Sequence, residues 1–266
     1  MTLRIASYNI RFGGIGRADP IGAALAELRP DVVILQEATH RPTVESIAER
    51  LGLATVIAEP GRSVAVLSRI PIGTATWHPL GFGHSAIELG LADLRMFGVH
   101  LSAGRSRRGE RRREVQVGRL LGLIATSGGS ARTAIVGDFN AITPGDAPTI
   151  ALLPRWIRIL LRFDGGIRTE AMAALIDAGY CDAYRRLHPD LPGFTMPSVE
   201  PSVRLDYVML GSGLLPGLRA CDAMSAGAAS ALASDHLALV AELEPAAPGS
   251  AAAGAEVRPA GPGRAP

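Results

Sequence analysis

The chain has 266 residues, 47% of them hydrophobic, which is enough for a sizeable core and within reach of a single two-sheet α/β enzyme. No apolar run reaches the roughly 18 residues that a membrane-spanning helix needs, and two cysteines, Cys181 and Cys221, cannot build a disulfide framework; both read as buried free thiols. A formal charge of +2 lends no support to a whole-protein electrostatic grip on nucleic acid, and all 27 basic residues being arginine reads as the mark of a high-GC genome.

The first strand covers residues 3–9, and Met1-Thr2-Leu3-Arg4 runs straight into its core, Ile5-Ala6-Ser7-Tyr8, with no signal-peptide pattern, so a cytoplasmic protein is the expectation. A helix over 21–28 must stop before Arg29-Pro30, because proline disfavours helical backbone in the residue before it. A strand over 32–36 follows, then a helix over 43–51 with Thr43 as its cap and Gly52 as its terminator. Five strands come next without helices between them, at 54–58, 63–67, 74–78, 85–89 and 94–100. The helix over 110–126 has an arginine-rich start and carries Val117, Leu120, Leu121 and Ile124 at helical spacing. After a strand over 133–137, the segment Arg155–Phe163 is apolar with interspersed arginines. It reads either as a cationic amphipathic lid or membrane-surface helix, or as a short helix packed on the domain. A helix over 169–178 carries Met172, Leu175 and Ile176 and ends at Gly179; strands over 205–210 and 237–243 close the domain. Strands alternating with helices early, and strands in succession later, point to mixed sheets with helices outside. Residues 1–244 form one domain in this reading, and the Ala/Gly/Pro-rich tail 245–266 is expected to be disordered.

Polar residues stand at the ends of several apolar strands, where a rigid scaffold can hold them in fixed positions. Asn9, Glu37, His100 and Asp138 all occupy such ends, and Asn140 lies two residues further on. Each has an ordinary explanation. Asn9 forms turns, Glu37 suits a solvated strand end or a cap, and His100 can be a hydrogen-bonded histidine; Asp138-Phe139-Asn140 can close an Asx-type turn. Asp206 is harder to dismiss, because a carboxylate between Leu205 and Tyr207 faces desolvation unless it is paired. Ser234-Asp235-His236 adds a carboxylate beside an imidazole. Glu37, Asp138, Asp206 and Asp235 can converge only if their repulsion is offset. A hard divalent cation such as Mg²⁺ or Mn²⁺ does that with oxygen ligands, substrate phosphate oxygens among them. The inventory suits hydrolysis of a phosphate ester by an activated water.

Six motifs in order carry a resemblance. They are Tyr8-Asn9-Ile10, Leu35-Gln36-Glu37, Val99-His100-Leu101, Gly137-Asp138-Phe139-Asn140, Arg204-Leu205-Asp206-Tyr207 and Ser234-Asp235-His236. Together with Val64-Ala65-Val66-Leu67-Ser68-Arg69-Ile70-Pro71-Ile72, they resemble the endonuclease/exonuclease/phosphatase superfamily over nearly all of the domain. That superfamily includes deoxyribonuclease I, AP endonucleases, sphingomyelinases and inositol-polyphosphate phosphatases. The resemblance implies a four-layer α/β/β/α sandwich, with two mixed sheets face to face, helices outside and the active site at one edge.

It also implies roles. Glu37 is the expected principal Mg²⁺ or Mn²⁺ ligand, assisted by Asn9 and Asp235. Asp138 and Asn140 position the attacking water or hold a second metal, with Asp138 the preferred general base and His236 the alternative. His236 binds the scissile phosphate, and Asp206 accepts its other ring proton. His100 contacts the phosphate or protonates the leaving oxygen. Arg11 matches a position that contacts the nucleic-acid backbone in nuclease relatives. Two departures stand out. Ala238 takes the place of a frequent proline, and Val99-His100-Leu101 replaces the aromatic–Asn segment of AP endonucleases, which favours the other branches.

The stretch Arg105-Ser106-Arg107-Arg108-Gly109-Glu110-Arg111-Arg112-Arg113 follows His100 closely, and some of its arginines, Arg107 and Arg108 first, are candidates to bind substrate phosphate, or else belong to a solvated helix face; Arg113 with Gln116 fits an Arg–Gln pair that the resemblance implies and that has a structural reading. Small-molecule or lipid-headgroup phosphodiesters rank above DNA as substrate, because the charge is low and aromatics for base stacking are few. The reading from another class is a non-catalytic binding module. A degenerate member should have lost some of Glu37, Asp138, Asp206 and His236, and all four are present. The sequence gives no sign of a protein partner.

Overall fold

Strands buried on both faces read as near-continuous apolar runs, and the alternation within each run decides which residues face which layer. The structure is a computed structural model that describes residues 2–91, 93–163 and 165–244. The 245–266 tail lies outside the described residues. In chain order the strands are β1 (Leu3–Asn9), β2 (Val32–Gln36), β3 (Thr55–Ala58), β4 (Val64–Ser68), β5 (Thr74–Gly81), β6 (His84–Leu91), β7 (Leu94–His100), β8 (Thr133–Asp138), β9 (Cys181–Asp182), β10 (Asp206–Leu210), β11 (Leu218–Ala223) and β12 (Leu239–Leu243). The helices are α1 (Ala18–Leu28), α2 (Arg41–Leu51), α3 (Arg107–Thr126), α4 (Arg155–Phe163), α5 (Glu170–Asp177), α6 (Ala183–Leu187) and α7 (Ala228–Ala233).

One six-stranded sheet runs β11-β12-β1-β2-β4-β3 and the other β5-β6-β7-β8-β10-β9. Both are mixed: β1 is parallel to β2 and β7 to β8, while β12 and β10 lie antiparallel to their neighbours. Between the sheets lie Ile5, Ile34, Val66, Met96, Val136 and Val208. Tyr8, Val33, Leu35 and Leu67 face the opposite way, onto Ile21, Leu25, Val44 and Ile47 of α1 and α2. Phe97, Ile135, Tyr207 and Met209 pack on Val117, Leu120, Met172 and Leu175 of α3 and α5. Each such side chain, fully buried, stabilises the fold by roughly 1.5–3 kcal/mol. The result is the expected α/β/β/α sandwich.

Local signals set the helix ends. Arg29 adopts a left-handed conformation (φ 46°) ahead of Pro30, and Gly52 does the same (φ 63°) after α2, where its N–H meets the carbonyls of Ala48 and Glu49. Thr43 is not the cap of α2; His40 occupies that position, and the Thr43 hydroxyl meets His40 Nδ1 at 2.8 Å from inside the first turn. α3 starts earlier than expected because the Ser106 hydroxyl accepts the Gly109 N–H. Strands β9 and β11 and helices α6 and α7 were not legible: β9 has two residues, and β11 is an edge strand with Arg219 and Asp222 interrupting its apolar residues. Cys221 is buried as expected; Cys181, on edge strand β9, is only partly so. No helix among the described residues is long and apolar enough to cross a membrane.

Candidate active site

The inward-facing rows of both sheets end in polar groups at one rim. On β8 the row Ala134–Val136 ends at Asp138, and Asp138 is paired in register with His100 on β7 and Asp206 on β10. Side chains opposite each other on paired strands lie about 5 Å apart. Register therefore puts an imidazole and two carboxylates side by side. Gly137 lets β7 and β8 approach here: its φ is 154°, and a Cβ would lie 1.9 Å from the Val99 carbonyl oxygen.

Asp138 is buried and accepts three hydrogen bonds. Asn9 Nδ2 reaches it across the two sheets at 2.9 Å, Asn140 Nδ2 donates at 3.2 Å, and the Asn140 N–H donates at 2.8 Å. The last contact is the Asx-type turn read from the sequence, so the motif closes a turn and faces the site at once. His100 Nε2 stands 3.8 Å from the same carboxylate. The His100 Nδ1 is buried and finds no hydrogen-bond partner among the described residues.

Asp206 is fully buried, and its Oδ2 lies 2.9 Å from His236 Nδ1, so the paired reading of this carboxylate holds. Burial works against the charged imidazole. The carboxylates of Asp206, Asp138 and Asp235 outweigh it and push His236 up to about 10. Burial in turn raises Asp206, against the pull of His236. Ser234 holds this loop in place. Its hydroxyl donates to the Asn9 carbonyl at 2.6 Å and accepts the His236 N–H at 3.3 Å, tying the strand-β12 entry to the end of β1. The sequence placed Ser234 in the Ser234-Asp235-His236 motif but gave it no role.

Glu37 follows β2 and takes a left-handed backbone, φ 54°. Its Oε1 accepts from Asn9 Nδ2 at 3.2 Å and its Oε2 accepts from the Phe12 N–H at 2.7 Å. Asn9 thus bridges Glu37 and Asp138. Asp235 faces the same cleft, and its Oδ2 lies 3.5 Å from Arg11 Nε.

These groups line one cleft of about 370 Å³. Asn9, Glu37, His100, Asp138, Asn140, Asp235 and His236 form its polar side. Ile142, Leu153, Ile157, Leu161, Val203 and Leu205 form an apolar side. Asp206 stands behind His236 rather than in the lining. Arg107 and Arg108 are not among the lining residues. They sit in the first turn of α3 with exposed side chains, whereas Arg105, in the loop before it, does line the cleft. His84 also lines it and was missed. It packs edge-on to His100 at 5.4 Å, its Nδ1 lies 2.7 Å from the His100 carbonyl, and burial beside His100 lowers its pKa. Arg113 is structural: it is buried, paired with Glu110 at 2.6 Å and bonded to the Ser102 and Gly104 carbonyls, while Gln116 accepts the Ser102 N–H.

The donor set fits a hard divalent cation, because carboxylate and amide oxygens dominate it. Among the described residues, Asp138, Asp206 and His236 offer ligand-type atoms that all lie within 4.8 Å of one another. Asp206 and His236 are already joined to each other by a hydrogen bond. Glu37, Asn9, Asp235, Asp138 and Asn140 all bring side-chain oxygens to the cleft lining.

A four-layer sandwich with carboxylates, amides and histidines converging at its rim is the architecture of a metal-dependent phosphoester hydrolase. The family model described as Endonuclease/Exonuclease/phosphatase family matches residues 6–236, and the chain belongs to that family. Solved structures share the fold. An AP endonuclease from Archaeoglobus fulgidus superposes with a TM-score of 0.71 at 20% identity, over 91% of this chain and 99% of that one. A 3′ phosphatase from Neisseria bound to product DNA hairpin gives 0.68 at 16% identity, over 91% and 99%. A 3′-5′ exonuclease from Neisseria meningitidis gives 0.65 at 16%, over 91% and 100%. No curated protein sequence matches the chain.

Proposed function

We propose that the protein is a phosphodiesterase that uses Mg²⁺ or Mn²⁺ at this cleft. The carrying observation is the hydrogen-bonded path from Glu37 through Asn9 to Asp138, beside the Asp206–His236 pair. Glu37, assisted by Asn9 and Asp235, would hold the cation, which when bound supplies positive charge against the phosphate oxygens.

Asp138 and Asn140 orient a water for in-line attack, and Asp138 takes its proton. The water oxygen bonds to phosphorus as the opposite phosphorus–oxygen ester bond breaks. His236, kept protonated by its acidic neighbours, donates to a non-bridging phosphate oxygen and offsets the charge that develops there. Asp206 holds that ring by its other nitrogen. We assign His100 to protonate the leaving oxygen. The reading takes residues 1–244 as the catalytic domain and the cytoplasm as its compartment.

A second reading keeps the same chemistry and takes DNA as substrate. Two of the similar solved structures carry nuclease names, and Arg11, outside the cleft lining, lies 3.5 Å from the lining residue Asp235. The test is turnover of bis-p-nitrophenyl phosphate with Mn²⁺, with and without EDTA, followed by plasmid and abasic DNA. EDTA-sensitive release of nitrophenol is expected; its absence overturns the reading in favour of a binding module.

A further inference from the structure

Helix α4 has two working faces. The inner one belongs to the cleft, where Ile157 is buried and lines the wall with Leu161. The outer one leaves Trp156 60%, Ile159 57% and Phe163 84% exposed. At 3.6 residues per turn, these three fall within roughly 60° of arc. Arg155, Arg158 and Arg162 occupy a neighbouring arc of about the same width, and all three are exposed. Three arginines and no acidic residue lie between Ile150 and Phe163. A fourth cation, Arg105, lines the cleft and holds its guanidinium 5.7 Å from the Trp156 ring.

Adjacent exposed apolar residues of this size mark a binding surface. An apolar stripe flanked by arginines fits an anionic bilayer: the stripe enters the acyl boundary, and the guanidinium groups meet lipid phosphates. A nucleic acid would answer the arginines but leave Ile159 and Phe163 against water. The cleft supplies a second, separate indication. Its apolar side, from Leu153 to Leu205, has no counterpart in a small polar diester, whereas a lipid brings hydrocarbon next to its phosphate.

We propose that the protein acts on phosphodiesters embedded in anionic membranes. The outer face of α4 lies on the bilayer, and the lipid's first chain carbons run along Ile157 and Leu161 as its phosphate reaches Asp138 and His236. This rests on the phosphodiesterase reading and names its substrate class.

The test uses the full chain and vesicles of equimolar phosphatidylglycerol and phosphatidylcholine, with phosphatidylcholine alone as control. Two chromogenic diesters are compared, p-nitrophenyl methyl phosphate in solution and p-nitrophenyl dodecyl phosphate dispersed in the vesicles. The protein is expected to sediment with the anionic vesicles, and the dodecyl ester to be turned over with a kcat/KM at least about tenfold higher than the methyl ester. Ile159→Ser with Phe163→Ser, or Arg155→Gln with Arg158→Gln and Arg162→Gln, should each lower vesicle partition by about tenfold or more. Both sets should keep the rate on the methyl ester. Failure to sediment, equal rates on the two esters, or variants that bind vesicles as before overturn the inference. So does a variant set that loses binding to a single-stranded oligonucleotide and not to vesicles. Turnover of the methyl ester without vesicle binding leaves the phosphodiesterase reading standing, whereas vesicle binding with neither ester cleaved overturns that reading.

Discussion

Asn9, at the end of β1, donates to the carboxylate of Asp138, at the end of β8, across the gap between the two sheets at 2.9 Å. The two residues are 129 positions apart in the chain, and the same amide also reaches Glu37. Asn9→Ala removes both bonds and leaves two carboxylates short of a donor. A loss of roughly 1–3 kcal/mol in urea unfolding is expected, together with a marked fall in kcat. Unchanged kcat and stability would show that the bridge does nothing.

His236→Ala should lower kcat on the order of 10²–10⁴-fold, as the loss of a phosphate-holding imidazole does. The circular dichroism spectrum should be unaltered. Asp206→Asn should cost less and should change the pH profile, because it acts through the His236 ring. A His236→Ala enzyme at full rate removes the assignment.

Glu37→Gln keeps the shape and loses a charge. The Mg²⁺ concentration for half-maximal rate should rise by at least about tenfold. Titrating rate against metal for both enzymes measures it; superimposable curves would place the cation elsewhere.

In EDTA, stability should depend on pH through His236. Burial opposes its charge, but three carboxylates raise its folded pKa from 6.5 to about 10. A raised pKa means that the folded state binds the proton more tightly. The contribution is complete below pH 6.5 and fades as pH climbs through about 10. The stability gap between the wild type and His236→Gln should therefore be widest near pH 6.5 and narrow toward pH 10 in denaturant titrations. A gap that widens with pH contradicts the charge assignment.

Arg204 is fully buried, bonded to Asp146 at 2.9 Å and paired with Asp182 at 2.6 Å, with its guanidinium 4.5 Å from the Tyr207 ring. Arg204→Met strands the buried Asp182 carboxylate, while Asp146 keeps Arg185 at 2.8 Å, and should cost about 3–5 kcal/mol, as a broken buried pair does. Urea denaturation should show that loss. A change within error would mean that the carboxylate regains water.

Asn9, His100 and Asp138 were legible because each ends an apolar strand, and Asp206 because a carboxylate between Leu205 and Tyr207 needs a partner. Glu37, Asp235 and His236 were legible as polar residues abutting apolar runs. His84 was not, since it opens a strand whose residues alternate less cleanly, and only its contact with His100 gives it meaning. Within the arginine-rich stretch, Arg105 lines the cleft and Arg107 and Arg108 do not. Proximity in the chain says nothing about which side chain a capped helix start turns toward the cleft.

Local order was written in the chain: where most strands and helices lie, which face of each is apolar, and which polar groups stand at strand ends. Those features follow from interactions between residues a few positions apart, and periodicity carries them. Convergence was decided by the packed sheets alone. Strand register set Asp206 against Asp138, and sheet-on-sheet stacking brought Asn9 to the same carboxylate. The orientation of α4 left one apolar face in the cleft and another in solvent. Such contacts join residues more than 60 positions apart, and no local pattern encodes them.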